Sequence, residues 1–269
     1  MPIHVEPSAA VSPLAELDDD VHIGPFCVVG PKVRIGRGTQ LLNSVTIMGR
    51  VTIGQHNRVF AGAVIGGDPQ DISYRGTDTE VAIGDDNVIR EGVTINRATE
   101  KEDGVTTLGC NSFIMAGCHI AHDCRVGSRV IMANATLLGG HVHVDDDATI
   151  SGGVAVHHFS SIGSYSFVGG LSRVLHDVPP YMLADGNPSR PLCVNMVALK
   201  RHNFSRDTIR ALTEAHRLIY RAKVGLENAR ELLRADGMLV PEAVHLLNFL
   251  QHQHGGSNGR GRDRRRIAA

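Results

Sequence analysis

From Val5 onward an aliphatic residue returns at every sixth position: Val5, Val11, Leu17, Ile23, Val29, Ile35, Leu41, Ile47, Ile53, Val59 and Ile65. The series resumes at Ile83, Ile89 and Ile95, and again from Leu108 through Ile114, Ile120, Val126, Met132, Leu138, Val144, Ile150, Val156, Ile162 and Val168 to Val174. Helices bury residues at spacings of three and four and ordinary strands at two, so a period of six belongs to neither. It suits a solenoid whose coil has flat faces, each sending one aliphatic inward before the chain turns a corner. Glycine often follows the inward position (Gly24, Gly30, Gly36, Gly54, Gly84, Gly109, Gly127, Gly163, Gly169), where a corner is expected to need freedom in φ. The pattern predicts a mainly β protein, a β-helix of hexapeptide repeats.

Two insertions interrupt the repeat, near residues 66–80 (GGDPQDISYRGTDTE) and 96–107 (NRATEKEDGVTT). Insertions on a strict solenoid tend to map to its binding face. The repeat is assigned to residues 1–190, ending in the proline-rich DVPPYMLADGNPSRPL. Residues 191–254 then read as a C-terminal helical domain. Ser205 is a plausible N-cap for a helix over 206–221, a second helix covers 227–234 before Gly237, and Pro241 sits at the first turn of a third. Residues 255–269 are polar, glycine-rich and basic, and are expected to form a disordered tail.

The chain has 269 residues, of which 42% are hydrophobic, enough for a full core. A net charge of −1 gives no overall bias toward nucleic acid or anionic membrane. Five cysteines without a CxxC pair, no signal-peptide pattern and no bilayer-length apolar run make a cytoplasmic setting the expectation.

Candidate chemistry concentrates in histidines of the later coils: His119, His122, His141, His143, His157 and His158. His119 and His122 flank the inward Ile120, and Asp123 follows His122 directly. Three readings stand side by side. The histidines are polar residues of an exposed coil face, or zinc ligands as in hexapeptide-repeat hydratases, or one of them is a general base whose tautomer a carboxylate fixes. A non-catalytic scaffold would need neither the insertions nor the histidine cluster.

The wording of the motifs separates these readings. HIAHDCRVG, together with HIGPFCVVGP, PQDISY, IREGVTINR, GGHVHVDD, AVHHF, DVPPY, GNPSRP, VNMVALKR and LIYR, resembles the UDP-N-acetylglucosamine O-acyltransferase family, which begins lipid A biosynthesis. The resemblance runs from about Ile23 to Tyr220. It implies a left-handed parallel β-helix, a homotrimer with sites between subunits, and transfer of an R-3-hydroxyacyl chain from acyl carrier protein to the sugar 3-hydroxyl. No cofactor or metal is implied, since the acyl donor rides on the carrier's phosphopantetheine arm. By the resemblance His122 is the general base, Asp123 orients it, and the Gly140 N–H serves the oxyanion hole. Gln70, Asp71, His119, His141, His157, Asn195 and Arg201 serve the substrates, and Gly170 sets acyl length. Lys200, Arg201, Arg217 and Arg221 are candidates to face the acidic carrier. The chain departs from the family pattern at Ser73 (usually Lys), Val197 (Glu), His202 (Arg) and His158 (often Gln), which leaves a 3-amino sugar nucleotide as an alternative acceptor.

Overall fold

The computed structural model describes residues 2–256 and 259–262. Most of the strands are only two residues long, such as His4–Val5, His119–Ile120 and Phe167–Val168. A pair that short has no stability alone, so it forms only because the next coil stacks on it. Stacking builds three sheets of 11, 9 and 8 strands, all parallel within the coil. His4 pairs with His22 and Val5 with Ile23, which sets the eighteen-residue pitch of three hexads. The result is a left-handed parallel β-helix.

The hexad series is the core. Ile23, Leu41, Ile47, Val59, Ile65, Ile89, Ile114, Ile120, Met132, Ile150, Ile162, Val168 and Val174 are all fully buried. The first coil departs from this: Val5 is 39% exposed, and Val11 and Leu17 are half-buried. They occupy the register positions, but among the described residues the first coil is stacked on one side only.

A second inward column stands two residues before the first, and its composition hides its period. Val21, Cys27, Val33, Val45, Ala63, Cys118, Cys124 and Val142 occupy it, as do Thr39, Asn57, Asn87 and Ser112. The polar members form a ladder. Asn57 N–H donates to Thr39 Oγ1 (3.0 Å), Asn87 N–H to Asn57 Oδ1 (2.9 Å), Ser112 N–H to Asn87 Oδ1 (2.8 Å), and Val130 N–H to Ser112 Oγ (3.0 Å).

The glycines after the inward positions have a different cause from the one expected. None of them has a positive φ. Most are required by close stacking instead. A Cβ on Gly24 would lie 2.3 Å from the Leu42 carbonyl oxygen, and one on Gly109 would lie 2.6 Å from the Gly127 carbonyl carbon. The left-handed turns fall at other positions, occupied by Gly38, Gly62, Gly92 and Gly153 but also by Asp123, His141 and Phe159.

The coil closes with an antiparallel hairpin, Met182–Gly186 with Ser189–Val194. Four helices follow: α1 (Met196–Arg201), α2 (Arg206–His216), α3 (Leu226–Ala235) and α4 (Pro241–His254). Ser205 caps α2 by accepting from Thr208 N–H, and α2 runs into a π-type turn over Arg217–Ala222. Leu199, Leu212, Leu218, Leu233, Leu246 and Leu247 pack with Tyr181 and Met182, so the helices cover the C-terminal end of the coil. Among the described residues no helix is long and apolar enough to cross a membrane.

The expected disorder of 255–269 is corrected in part. Gly259–Arg262 form a 3-10 turn whose last side chain reaches the coil and donates to the backbone carbonyls of His141 and Phe159. Residues 257–258 and 263–269 of that expected tail lie outside the described residues.

Candidate active site

Both insertions and His122 sit at one corner of the solenoid. The first loop joins the strand Val64–Gly67 to Glu80–Ile83, and the second joins Thr94–Asn96 to Val105–Leu108. In the following coil the same crossing, from His119–Ile120 to Arg125–Val126, contains His122 and Asp123. Three consecutive coils therefore present the two loops and the dyad side by side.

At this corner Asp123, His141 and Phe159, spaced eighteen apart, all take left-handed φ values of 60, 62 and 64°. Stacking at coil pitch then makes a column. His141 lies flat on Phe159 (centroids 4.3 Å, interplanar 1°) and edge-on to His122 (5.2 Å, 88°). Non-glycine residues in this region are strained, and such strain is held where surrounding contacts over-determine it.

The Asp123 carboxylate supplies many of those contacts. It is buried, accepts from Thr99 N–H (3.0 Å to Oδ1, 3.2 Å to Oδ2) and Thr99 Oγ1 (2.8 Å), and lies 2.7 Å from His122 Nδ1. The backbone N–H of Asp123 donates to Thr106 Oγ1 at 2.9 Å. Two Thr99 donors already point at this buried carboxylate and make it the acceptor toward His122, so Nδ1 carries the His122 proton and Nε2 presents a lone pair. Across the column, His141 Nδ1 is 3.1 Å from Glu102 Oε1, and its Nε2 is 3.7 Å from Asp123 Oδ2. The bond to His141 lowers the Glu102 carboxyl below its ordinary range. His119, bonded to Thr94 Oγ1 at 2.7 Å, is pushed toward its neutral form by burial and by the nearby His122.

Gly140 lies against the ring of His122. A Cβ there would meet His122 Cε1 at 2.4 Å and Nε2 at 2.6 Å, so only glycine leaves the base its place. Neighbouring amides are used in the ladder, Gly139 N–H to Val156 O (2.9 Å) and His141 N–H to His122 O (3.0 Å). Among the described residues no acceptor takes the Gly140 N–H.

His122, Asp123, Gly140 and His141 thus meet in one chain, with His119 beside them. Others among the sequence candidates are committed elsewhere. Gln70 is exposed in the first loop. Asp71 accepts from Ser73 N–H (2.8 Å) and Ser73 Oγ (2.7 Å), and its hydrogen bond with Lys101 holds its carboxyl well below the usual range. His157 Nδ1 lies 3.1 Å from the His158 carbonyl and its ring against that of His158. Asn195 caps α1 through Ala198 N–H and donates to the Tyr165 carbonyl (2.9 Å), while Arg201 is exposed in the last turn of α1. Gly170 is exposed, with nothing nearer than 3.6 Å to an added Cβ. Arg217 is paired with Glu214 at 2.6 Å. His122, Asp123 and His141 hold ligand atoms within 4.8 Å of one another, while the Nδ1 atoms of the two histidines are bonded to Asp123 and Glu102.

Thr99, Lys101, Glu102, Thr106, Phe159 and Arg262 belong to this site and were not singled out by sequence. For Phe159 the signal existed, since it stands eighteen residues beyond His141.

A hexapeptide coil carrying an imidazole and carboxylate dyad beside a glycine amide defines the hexapeptide class of transferases, and the bacterial transferase hexapeptide pattern matches residues 106–140. The description UDP-N-acetylglucosamine O-acyltransferase, domain 2, matches residues 177–261. An acyl-(acyl-carrier-protein)–UDP-N-acetylglucosamine O-acyltransferase of Thermodesulfovibrio yellowstonii is 46% identical over 247 residues, covering 92% of this chain and 96% of the relative. That of Syntrophobacter fumaroxidans is 44% identical over 260 residues, 96% of this chain and 99% of the relative. The crystal structure of the Bacteroides fragilis UDP-N-acetylglucosamine acyltransferase matches with a TM-score of 0.90 at 34% identity, covering 95% of this chain and 98% of that one. The chain belongs to the UDP-N-acetylglucosamine O-acyltransferase family.

Proposed function

We propose that this protein transfers an R-3-hydroxyacyl chain from acyl carrier protein to the 3-hydroxyl of UDP-N-acetylglucosamine, the first step of lipid A biosynthesis. The observation that carries the reading is the His122 dyad, with Nδ1 bonded to the buried Asp123 and Nε2 left to accept a proton. His122 Nε2 takes the proton of the sugar hydroxyl as its oxygen attacks the thioester carbon. The tetrahedral oxyanion takes the Gly140 N–H. Collapse breaks the C–S bond, and the imidazolium returns its proton to the departing pantetheine thiolate. A thioester is already activated, so a base and an oxyanion donor suffice without cofactor or metal.

His119, His141, His157, Gln70 and Asp71 serve the sugar nucleotide in this reading, and Asn195 and Arg201 the nucleotide and carrier arm. Lys101, bonded to Asp71, brings a cation to the loop in which Ser73 stands. Gly170, open to solvent, leaves room for a long acyl chain. The protein works as a homotrimer in the cytoplasm, where carrier and sugar nucleotide meet.

The test is acyl transfer to UDP-N-acetylglucosamine by the native protein and by His122→Ala, each with and without a chelator. Native turnover, a fall of roughly 10²–10⁴-fold in kcat for His122→Ala and indifference to chelation are expected. Inactivity on this acceptor with turnover of its 3-amino analogue would reassign the substrate, and loss on chelation would revive the zinc reading.

A further inference from the structure

Within the C-terminal basic segment, the described turn Gly259–Arg262 is docked on the coil. Arg262 Nη2 donates to the carbonyls of His141 (2.7 Å) and Phe159 (3.1 Å), consecutive members of the corner column. Its Nη1 lies 2.7 Å from His143 Nε2 and 4.0 Å from Glu102 Oε1, the oxygen that faces His141 Nδ1. The guanidinium also stands over the Phe159 ring at 5.8 Å, and the side chain is only 16% exposed. Since a guanidinium only donates, His143 Nε2 must be the acceptor and the imidazole neutral. Burial and the Arg262 charge push His143 down to about 4, in agreement. The turn has its own seat as well. Gly259 has a φ of 57°, and a Cβ on it would lie 1.9 Å from the buried Asp177 carboxylate, so only glycine docks there.

The clamped carbonyl of His141 belongs to the residue after Gly140, whose own carbonyl accepts from Phe159 N–H at 3.0 Å. Arg262 therefore fastens both sides of the turn that carries the Gly140 amide and abuts the His122 ring. We propose that Gly259–Arg262 are a latch on the active site and that Arg262 is a positioning residue for the turn holding Gly140 and His141. The latch rests on the acyl-transfer reading for its effect on rate, but not for its existence.

A rigid donor fork holding two carbonyls acts on the geometry of the oxyanion amide rather than on substrate affinity. Arg262→Ala is expected to lower kcat by about 10- to 100-fold, the range of lost supporting contacts, with KM changed by less than about threefold. Arg262→Lys, which keeps the charge but not the fork, recovers only part of that loss. Gly259→Ala leaves Arg262 in the chain but unseats the turn, and it reproduces the Arg262→Ala kinetics.

Docking is read separately by the ring NMR titration of His143, which faces Arg262, Arg125, Glu102 and His141. In both variants its midpoint rises from about 4 toward the ordinary histidine range. A His143 that titrates alike in native and variant proteins overturns the latch. Native kcat in an Arg262→Ala protein whose His143 has been released overturns the positioning role. A native protein inactive on UDP-N-acetylglucosamine overturns the acyl-transfer reading instead, and the His143 titration then still decides whether the latch exists.

Discussion

At the scale of single residues, the site depends on one missing side chain as much as on those present. The His122 ring occupies the space a Cβ at position 140 would take, with Nε2 only 2.6 Å from that point. Gly140→Ala must therefore turn the ring off Asp123 or push the turn outward, and either displaces base or oxyanion donor. Loss of a placed base costs roughly 10²–10⁴-fold and loss of an oxyanion donor about 10²–10³-fold, so kcat should fall at least about 100-fold. Gly140 and His141 are buried, so the displacement also costs stability, and the melting temperature should fall together with kcat. An alanine variant that turns over at the native rate would remove Gly140 from the site. His122 and Asp123 were legible in the sequence because they are adjacent, whereas the steric role of Gly140 needs the eighteen-residue pitch that brings it beside His122. Thr99 and Glu102 were not legible at all. They come from an insertion, and a periodicity says nothing about the path of a segment that leaves it. Glycines after the inward positions were read correctly as special and for the wrong reason, since Gly24 and Gly109 are fixed by the backbone of the next coil rather than by φ.

Individual coils are held by two inward columns, and the sequence shows only one of them. The aliphatic column repeats one kind of residue and is visible as a period, while the second mixes Val, Cys, Ala, Thr, Asn and Ser and leaves no pattern to count. Its polar members carry specific bonds. The fully buried Asn87 donates through Nδ2 to Asn57 Oδ1 (3.0 Å) and the Gly109 carbonyl (2.8 Å), and accepts from Ser112 N–H (2.8 Å). This ladder ties the coil after the first insertion to the coils on either side. Asn87→Ala strands the Ser112 amide and the Gly109 carbonyl, each a loss of about 1–3 kcal/mol when buried without a partner. Chemical denaturation should show a loss of about 2–6 kcal/mol, and a change below about 1 kcal/mol would mean that water or a shifted coil replaces the ladder. Helices were easier to anticipate, because Ser205, Gly237 and Pro241 are local signals with local consequences. The Gly259–Arg262 turn was not, because its docking depends on carbonyls more than a hundred residues away.

Across the whole molecule, the two ends of the solenoid are treated differently. The helices seal the C-terminal end, while the first coil keeps Val5 39% exposed. The lateral surface also shows large apolar side chains, Leu171 at 83% and Leu137 at 48%. Within one chain, Asn195 is engaged with Tyr165 and the cap of α1, and Arg201 projects from α1 to solvent, neither joining the contacts around His122. If these residues serve the same reaction, the His122 of one subunit must work with the Arg201 of another, which a cyclic trimer permits. Subunit mixing separates this arrangement from a site complete in each chain. His122→Ala and Arg201→Ala trimers, each weakly active alone, are dissociated together in mild denaturant and reassembled. With sites between subunits, a site is intact when one contributor keeps its histidine and the neighbour its arginine. Random assortment at equal amounts makes that true of about one quarter of sites, so activity should return to about one quarter of the native value. Sites contained in single chains give no recovery, because every chain then carries one of the two defects. The accompanying expectation is that activity sediments with a trimer, and activity that follows a monomer would overturn the arrangement between subunits.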